Sequence, residues 1–202
     1  MIGCATAATA SPCVSRRATH CMILPVIKYG HPTLRKKGAH ITSITPEIRQ
    51  LIADMLETMR AERGIGLAAQ QVNHALQLTV IDVREVTDRP STMEIAGKPV
   101  AVADHMPVVL INPEIKPSGD PVEGPEGCLS FPEIYADISR PGVVDVSALN
   151  EKGKPVHFRA GGLLARVVQH EVDHLNGILF IDRLDKRLRE QAVDDYEERV
   201  RL

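Results

Sequence analysis

The chain has no tryptophan, and only three tyrosines and three phenylalanines occur among its 202 residues. A base-stacking platform for single-stranded nucleic acid needs rings, and this chain lacks them. Its core must be built from Leu, Ile, Val, Ala and Met. An excess of one charge is missing too. The 24 Lys and Arg stand against 26 Asp and Glu, so nothing pulls the whole chain toward DNA or an anionic membrane. Long apolar runs are absent as well. The longest, such as Val108-Val109-Leu110-Ile111, are strand-sized, far below the ~18 residues of a membrane span. A hydrophobic content of 44% with 25% charge is what an ordinary globular domain with a substantial core carries.

Acid is missing from one region. Residues 1–46 contain no Asp or Glu, and residues 1–21 are mostly Ala, Thr, Ser and Cys with Arg16 and Arg17. Neither periodicity nor a continuous apolar segment occurs there, which argues against a secretory signal. Two readings fit this stretch: an organellar transit-like leader, or an upstream start codon with Met22 the true start. Either way, residues 1–21 are expected to be a disordered extension and residues 22–202 a single domain. Cys4, Cys13 and Cys21 fall in the extension, leaving Cys128 alone in the body. One cysteine cannot staple a fold, so the expected compartment is reducing and Cys128 is either packing or chemistry.

Along the body, Ile48, Leu51, Ile52, Met55, Leu56 and Met59 form one stripe of a 3.6-residue period, predicting a helix over 46–63 with Thr45 as its cap. Strands are expected at 76–83, 108–112, 143–149 and 155–159, the last two joined through Asn150-Glu151-Lys152-Gly153. Residues 84–107 read as a surface insertion in the form of a small hairpin or flap. A second helix is expected over 163–175, ending at Asn176-Gly177, then a short strand at 178–181 and a charged C-terminal helix. Helices mixed with hairpins, without regular βαβ alternation, give an α+β class with antiparallel sheet.

The second helix carries His170-Glu171-Val172-Asp173-His174. Residues four apart share a helix face, so both imidazoles reach one metal ion with Glu171 beside it, positioned to accept a proton. Leu164, Val168, Val172 and Leu175 form a buried stripe, while Arg166, Gln169 and Asp173 form a polar third side. The third ligand is not downstream. The metzincin protease pattern needs His where this chain has Phe180, and Glu197 and Glu198, at thermolysin-like spacing, lie in a solvated helix stretch. Upstream, Glu126-Gly127-Cys128-Leu129-Ser130 offers a thiolate, a strong ligand for a borderline metal. The run Gly64-Ile65-Gly66-Leu67-Ala68-Ala69-Gln70-Gln71 is a poor nucleotide loop, but it suits a backbone edge on which a peptide can lie.

These three segments, in this order, resemble the peptide deformylase family, whose motifs are Gly-x-Gly-Leu-Ala-Ala-x-Gln, Glu-Gly-Cys-Leu-Ser and His-Glu-x-Asp-His. The resemblance runs from about Met22 to the C-terminal helix. It implies antiparallel β-sheets packed around a central metal-binding helix, and hydrolysis of the formyl group from N-terminal formylmethionine by metal-activated water. Cys128, His170 and His174 would hold the metal, usually Fe(2+), with Zn, Ni or Co as alternatives. Glu171 would carry the proton, and the Gln71 side chain and Leu129 N–H would face the developing oxyanion. Ile65, Gly66 and Gly127 would bind substrate backbone. Implied partners are N-formylmethionyl nascent peptides, with transient ribosome contact the one addition and neither DNA nor membrane included. The implied location is the bacterial cytoplasm, or an organelle if residues 1–21 are a transit peptide. One position departs from the pattern, with Tyr135 where many members carry Arg seven residues after the cysteine. Arg140 matches a family arginine, and is expected to pair with Asp173 or Glu126. The rival functions are a zinc endopeptidase, which Phe180 opposes, and a non-catalytic metal module, which the acidic Glu171 opposes.

Overall fold

Helix α1 (Pro46–Ala61) forms where the apolar period predicts it. The Thr45 side chain accepts from Ile48 N at 3.4 Å, and Pro46 occupies the first turn, where no N–H is needed. Its end differs from the expectation. The helix stops at Ala61, and Arg63 takes a left-handed φ of 55°. Arg63 N–H bonds Arg60 O at 3.0 Å and Gly64 N–H bonds Met59 O at 2.8 Å. This is a Schellman turn with arginine at the position that glycine usually takes.

The computed structural model describes residues 21–201, so the expected N-terminal extension lies outside the described residues apart from Cys21. Strands β1 (Gly66–Ala68), β2 (Leu78–Ile81), β3 (Ser91–Ile95), β4 (Lys98–Val100), β5 (Val108–Cys128), β6 (Phe131–Leu149) and β7 (Pro155–Gly162) make one seven-stranded antiparallel sheet, in the order β1-β2-β5-β6-β7-β3-β4. The insertion at 84–107 does supply a hairpin, and β3 pairs with β7, so the insertion extends the sheet. β5 and β6 run far beyond the expected 108–112 and 143–149. Pro113, Pro117, Pro121 and Pro125 punctuate β5 and disguise it in the sequence. They are tolerated because, past Ile111, β5 pairs only with β6 and leaves its other edge free. Register shifts near Glu114, Pro121 and Cys128 absorb the remaining mismatch.

Period-two alternation decides which helix each strand residue meets. On β2, Leu78 and Val80 pack with Leu51, Ile52, Met55 and Met59 of α1. Ile81 faces the opposite way, into a cluster with Leu163, Leu164, Val167 and Val168. Met55 and Met59 are fully enclosed, each contributing roughly 1.5–3 kcal/mol of burial.

Those last four residues belong to α2 (Leu163–Leu175), in which all but Arg166 are buried. The polar third side is itself enclosed, since Gln169 and Asp173 are buried too, and a helix covered all round is a central one. Its first amides are satisfied by Pro90 O and Ser91 Oγ, at 3.0 and 3.1 Å. Its end is a second Schellman turn, Gly177 N to His174 O at 3.0 Å and Ile178 N to Asp173 O at 2.9 Å, with Gly177 at φ 75°. A Cβ on Gly177 would meet the Arg35 carbonyl, so glycine is required twice over.

The strand expected at 178–181 is not formed. Phe180–Arg183 is a 3-10 turn, and Leu179 N–H donates to the Asp182 carboxylate at 2.9 Å. Phe180 and Ile181 are buried by packing instead of by sheet pairing. Helix α3 (Lys186–Arg201) is mostly solvated, but Tyr196 stacks on Phe131 at 4.5 Å and meets Tyr29 edge-on at 5.6 Å. The few aromatics of the chain are thus concentrated beneath the β5–β6 turn.

Candidate metal centre and active site

Three donors converge where α2 meets the β5–β6 turn. The ligand atoms of Cys128, His170 and His174 all lie within 4.8 Å of one another. Cys128 Sγ stands 3.2 Å from His174 Nε2. The i, i+4 spacing on α2 sets the two rings side by side, 5.0 Å apart. A two-residue turn between Cys128 and Phe131 places the sulfur at the strand end. One thiolate and two imidazoles suit a borderline divalent ion.

Electrostatics agree with that fit. Burial disfavours a charge on His170, yet its contacts with Cys128 and Glu126 raise its pKa to about 10. Burial and the neighbouring His170 hold His174 well below its usual range. The donors therefore favour one positive charge among them, the place a cation would take from the proton. His174 Nδ1 is buried without a hydrogen-bond partner, leaving Nε2 as its polar contact with the cluster.

Behind His170 lies a buried ion network. Glu126 Oε2 meets His170 Nδ1 at 2.9 Å, which turns Nε2 toward the cluster. Arg140 donates to both oxygens of Glu126, at 2.6 and 2.9 Å, and to Asp173 at 2.8 Å. The expected pairing of Arg140 thus involves both acids at once. Arg183 closes the far side on Asp173, and Arg166 joins Glu126 to the carbonyls of Val122, Gly124 and Ile138. Burial opposes the charge of Glu126, but hydrogen bonds from His170 and Arg140 prevail and hold its carboxyl at about 2.

Glu171 is buried, and burial pushes its carboxyl up to about 7, near the value a proton carrier needs at neutral pH. Thr79 Oγ1 lies 3.4 Å from Glu171 Oε2. Sequence reasoning passed over Thr79, although a hydroxyl in the otherwise apolar Leu78-Thr79-Val80-Ile81 was a usable signal. Gly66 passes directly over this carboxylate, and a Cβ there would collide with Glu171 Oε1.

Gln71 is held by its own backbone. Its Oε1 accepts from Ala68 N at 2.8 Å, so Nε2 is turned toward Cys128 Sγ at 3.5 Å and Ser130 Oγ at 3.4 Å. Its neighbour Gln70 is buried with neither polar side-chain atom hydrogen-bonded. The N–H of Leu129 makes no hydrogen bond with any described residue. The unengaged Leu129 N–H and the Gln71 amide that contacts the sulfur therefore stand together beside the cluster.

Ile65, Gly66, Gln71, Gly127, Cys128, Leu129, His170 and Glu171 line one cavity of about 550 Å³, whereas His174 sits behind it. β1 is the edge strand of the sheet here, so its outer side can accept an added strand. Across the opening, Tyr135 lays its ring against Gly127, where a Cβ would meet Cε1 at 2.6 Å, and is itself 73% exposed.

A sequence model for polypeptide deformylase matches residues 23–190. The peptide deformylase of Methylacidiphilum infernorum is 44% identical over 176 residues, covering 87% of this chain and 92% of that protein. That of Opitutus terrae is 45% identical over 177 residues, covering 86% and 90%. Among solved structures, a peptide deformylase from Synechococcus elongatus in complex with actinonin is 40% identical, with a TM-score of 0.73 over 94% of this chain and 95% of its own. The Ehrlichia chaffeensis peptide deformylase is 33% identical, with a TM-score of 0.77 over 89% and 97%. Alike in sequence from Ile23 onward and in fold, this chain belongs to the polypeptide deformylase family.

Proposed function

We propose that this chain hydrolyses the formyl group from the N-terminal formylmethionine of newly made proteins, releasing formate. The catalytic domain is residues 22–202, with residues 1–21 an extension outside it. The observation that carries the reading is the convergence of Cys128, His170 and His174 beside a buried carboxylate, the Gln71 amide and the unengaged Leu129 N–H. A divalent ion on those three residues, Fe(2+) first and Zn, Ni or Co as alternatives, would supply the Lewis acid that activates water and polarises the formyl oxygen.

The chain's own groups do the rest. Glu171 takes the proton of the attacking water and delivers it to the leaving amine. Gln71 Nε2 and the Leu129 N–H donate to the oxyanion that forms at the formyl carbon. Substrate backbone adds to the free edge of β1 at Ile65 and Gly66 and passes Gly127, with the methionine side chain running along Val167 and Leu163. A formyl carbon bears only hydrogen, so it fits between Gly66 and the cluster where a larger acyl group would clash. The working place is the bacterial cytoplasm. Any ribosome contact through α3 is transient, because residues 183–202 balance six Lys and Arg with six Asp and Glu.

Assayed without oxygen, the chain is expected to release formate from formyl-Met-Ala-Ser and leave casein intact. Casein cleavage without formate release would restore the endopeptidase reading. In the same preparation, Cys128→Ser is expected to weaken metal binding or change which metal is held, since a hydroxyl does not readily become an anionic ligand. Unchanged affinity and selectivity by anaerobic metal analysis would remove Cys128 from the ligand set.

A further inference from the structure

On the rim of the main cavity, cations outnumber the acids left without a partner. Lys28, Arg63 and Arg89 line it, and neither guanidinium has a hydrogen-bond or ion-pair partner among the described residues. Lys28 Nζ donates only to the uncharged Leu129 carbonyl, at 3.0 Å. Of the acids in the lining, Glu133 is paired with Arg199 at 2.8 Å, Glu126 is enclosed by Arg140 and Arg166, and Glu171 is the proton carrier. Glu62 opposes the three cations within the main cavity, and Asp88 and Glu123 line the second cavity beside Arg89. Arg89 is half-buried where this cavity joins a second one of about 340 Å³, and both share Pro125, Leu163 and Arg166. The Arg89 guanidinium, half-buried and without a partner among the described residues, is open to an anion.

We propose that Arg63, Arg89 and Lys28 make this enzyme select formylmethionyl chains that carry a carboxylate within the first residues after the methionine. The inference rests on the deformylase reading, which supplies the peptide and its place along β1. Bonds to the β1 edge are made by backbone and are indifferent to sequence, whereas rim cations attract an acidic segment and repel a basic one. The attraction acts mainly on productive encounter, so it belongs in kcat/KM and fades with salt.

The test uses the full-length chain, purified and assayed without oxygen, on C-terminally amidated peptides formyl-Met-X-Ala and formyl-Met-Ala-X, with X as Asp, Asn or Lys. At low ionic strength the Asp peptides should exceed the Lys peptides in kcat/KM by roughly 3–10-fold, with Asn between them. The ratio should shrink toward one in high salt and in the double variant Arg63→Gln, Arg89→Gln. Equal turnover of all peptides, or a ratio that both salt and the double variant leave unchanged, would overturn the proposal while leaving the activity standing. Formate release from none of them would overturn the activity and the proposal together.

Discussion

Replacing Glu171 by Gln is expected to lower turnover of formyl-Met-Ala-Ser by roughly 10³–10⁴-fold, the upper end for a general acid–base group, because one carboxyl serves both proton transfers. The substitution keeps the side chain's volume and its contact with Thr79. It also costs little stability, since burial penalises the charge that the substitution removes. Metal content and melting temperature should therefore change little. The pH profile gives a second reading. A base must be unprotonated, so wild-type activity rises with pH through the ionisation of Glu171. A cation beside it moves that midpoint below 7. Residual activity in the variant should lack this limb. Near-normal turnover at full metal occupancy would sink the proton-carrier assignment, and loss of metal or fold would make Glu171 structural.

Arg140→Met is expected to cost about 3 kcal/mol, because it removes the buried counter-charge that Glu126 and Asp173 share, leaving Arg166 and Arg183 to hold them from one side each. For a chain of this length that corresponds to a loss of roughly 10 °C in Tm. The acid side of the stability curve should move as well. The pKa of Glu126 is depressed in the fold, so its contribution is complete above its ordinary value of 4.5 and is lost as pH falls toward about 2. Without Arg140 the depression is smaller, and acid unfolding should begin at higher pH. Glu126 also orients His170, so metal affinity should fall by about 10–100-fold. A melt within 2 °C of wild type (roughly the effect of under 1 kcal/mol) with unchanged metal affinity would show that the network contributes neither stability nor ligand orientation.

The grouping of Cys128, His170 and His174 was legible because its chemistry is local. A His-Glu-x-Asp-His run on a helix fixes both imidazoles by spacing alone, and only one cysteine stood in the body to complete them. Helix α1 was legible for the same reason, since its stripe and its Thr45 cap lie within one short stretch. The long β5–β6 ribbon was not. Its prolines and glycines signal turns, and what overrides them is pairing with a partner strand that no local window contains. The polar side of α2 was legible as polar, but not its enclosure, because Gln169 bonds Pro141 O and Asp173 bonds Arg140 and Arg183, partners distant in sequence or outside any local window. Residues 178–181 erred in the other direction, an apolar run whose burial comes from Phe131 and Tyr196 and needs no strand edge.

β1 is only three residues long, and its outer edge is where the proposed substrate adds. So short an edge offers few backbone bonds, too few to recruit another sheet and too few to retain a processed chain. Main-chain bonding without a deep grip favours quick release, and it accepts any sequence that follows the first residue. An enzyme that must treat every new protein once, and then let it go to fold, is served by a strand this short.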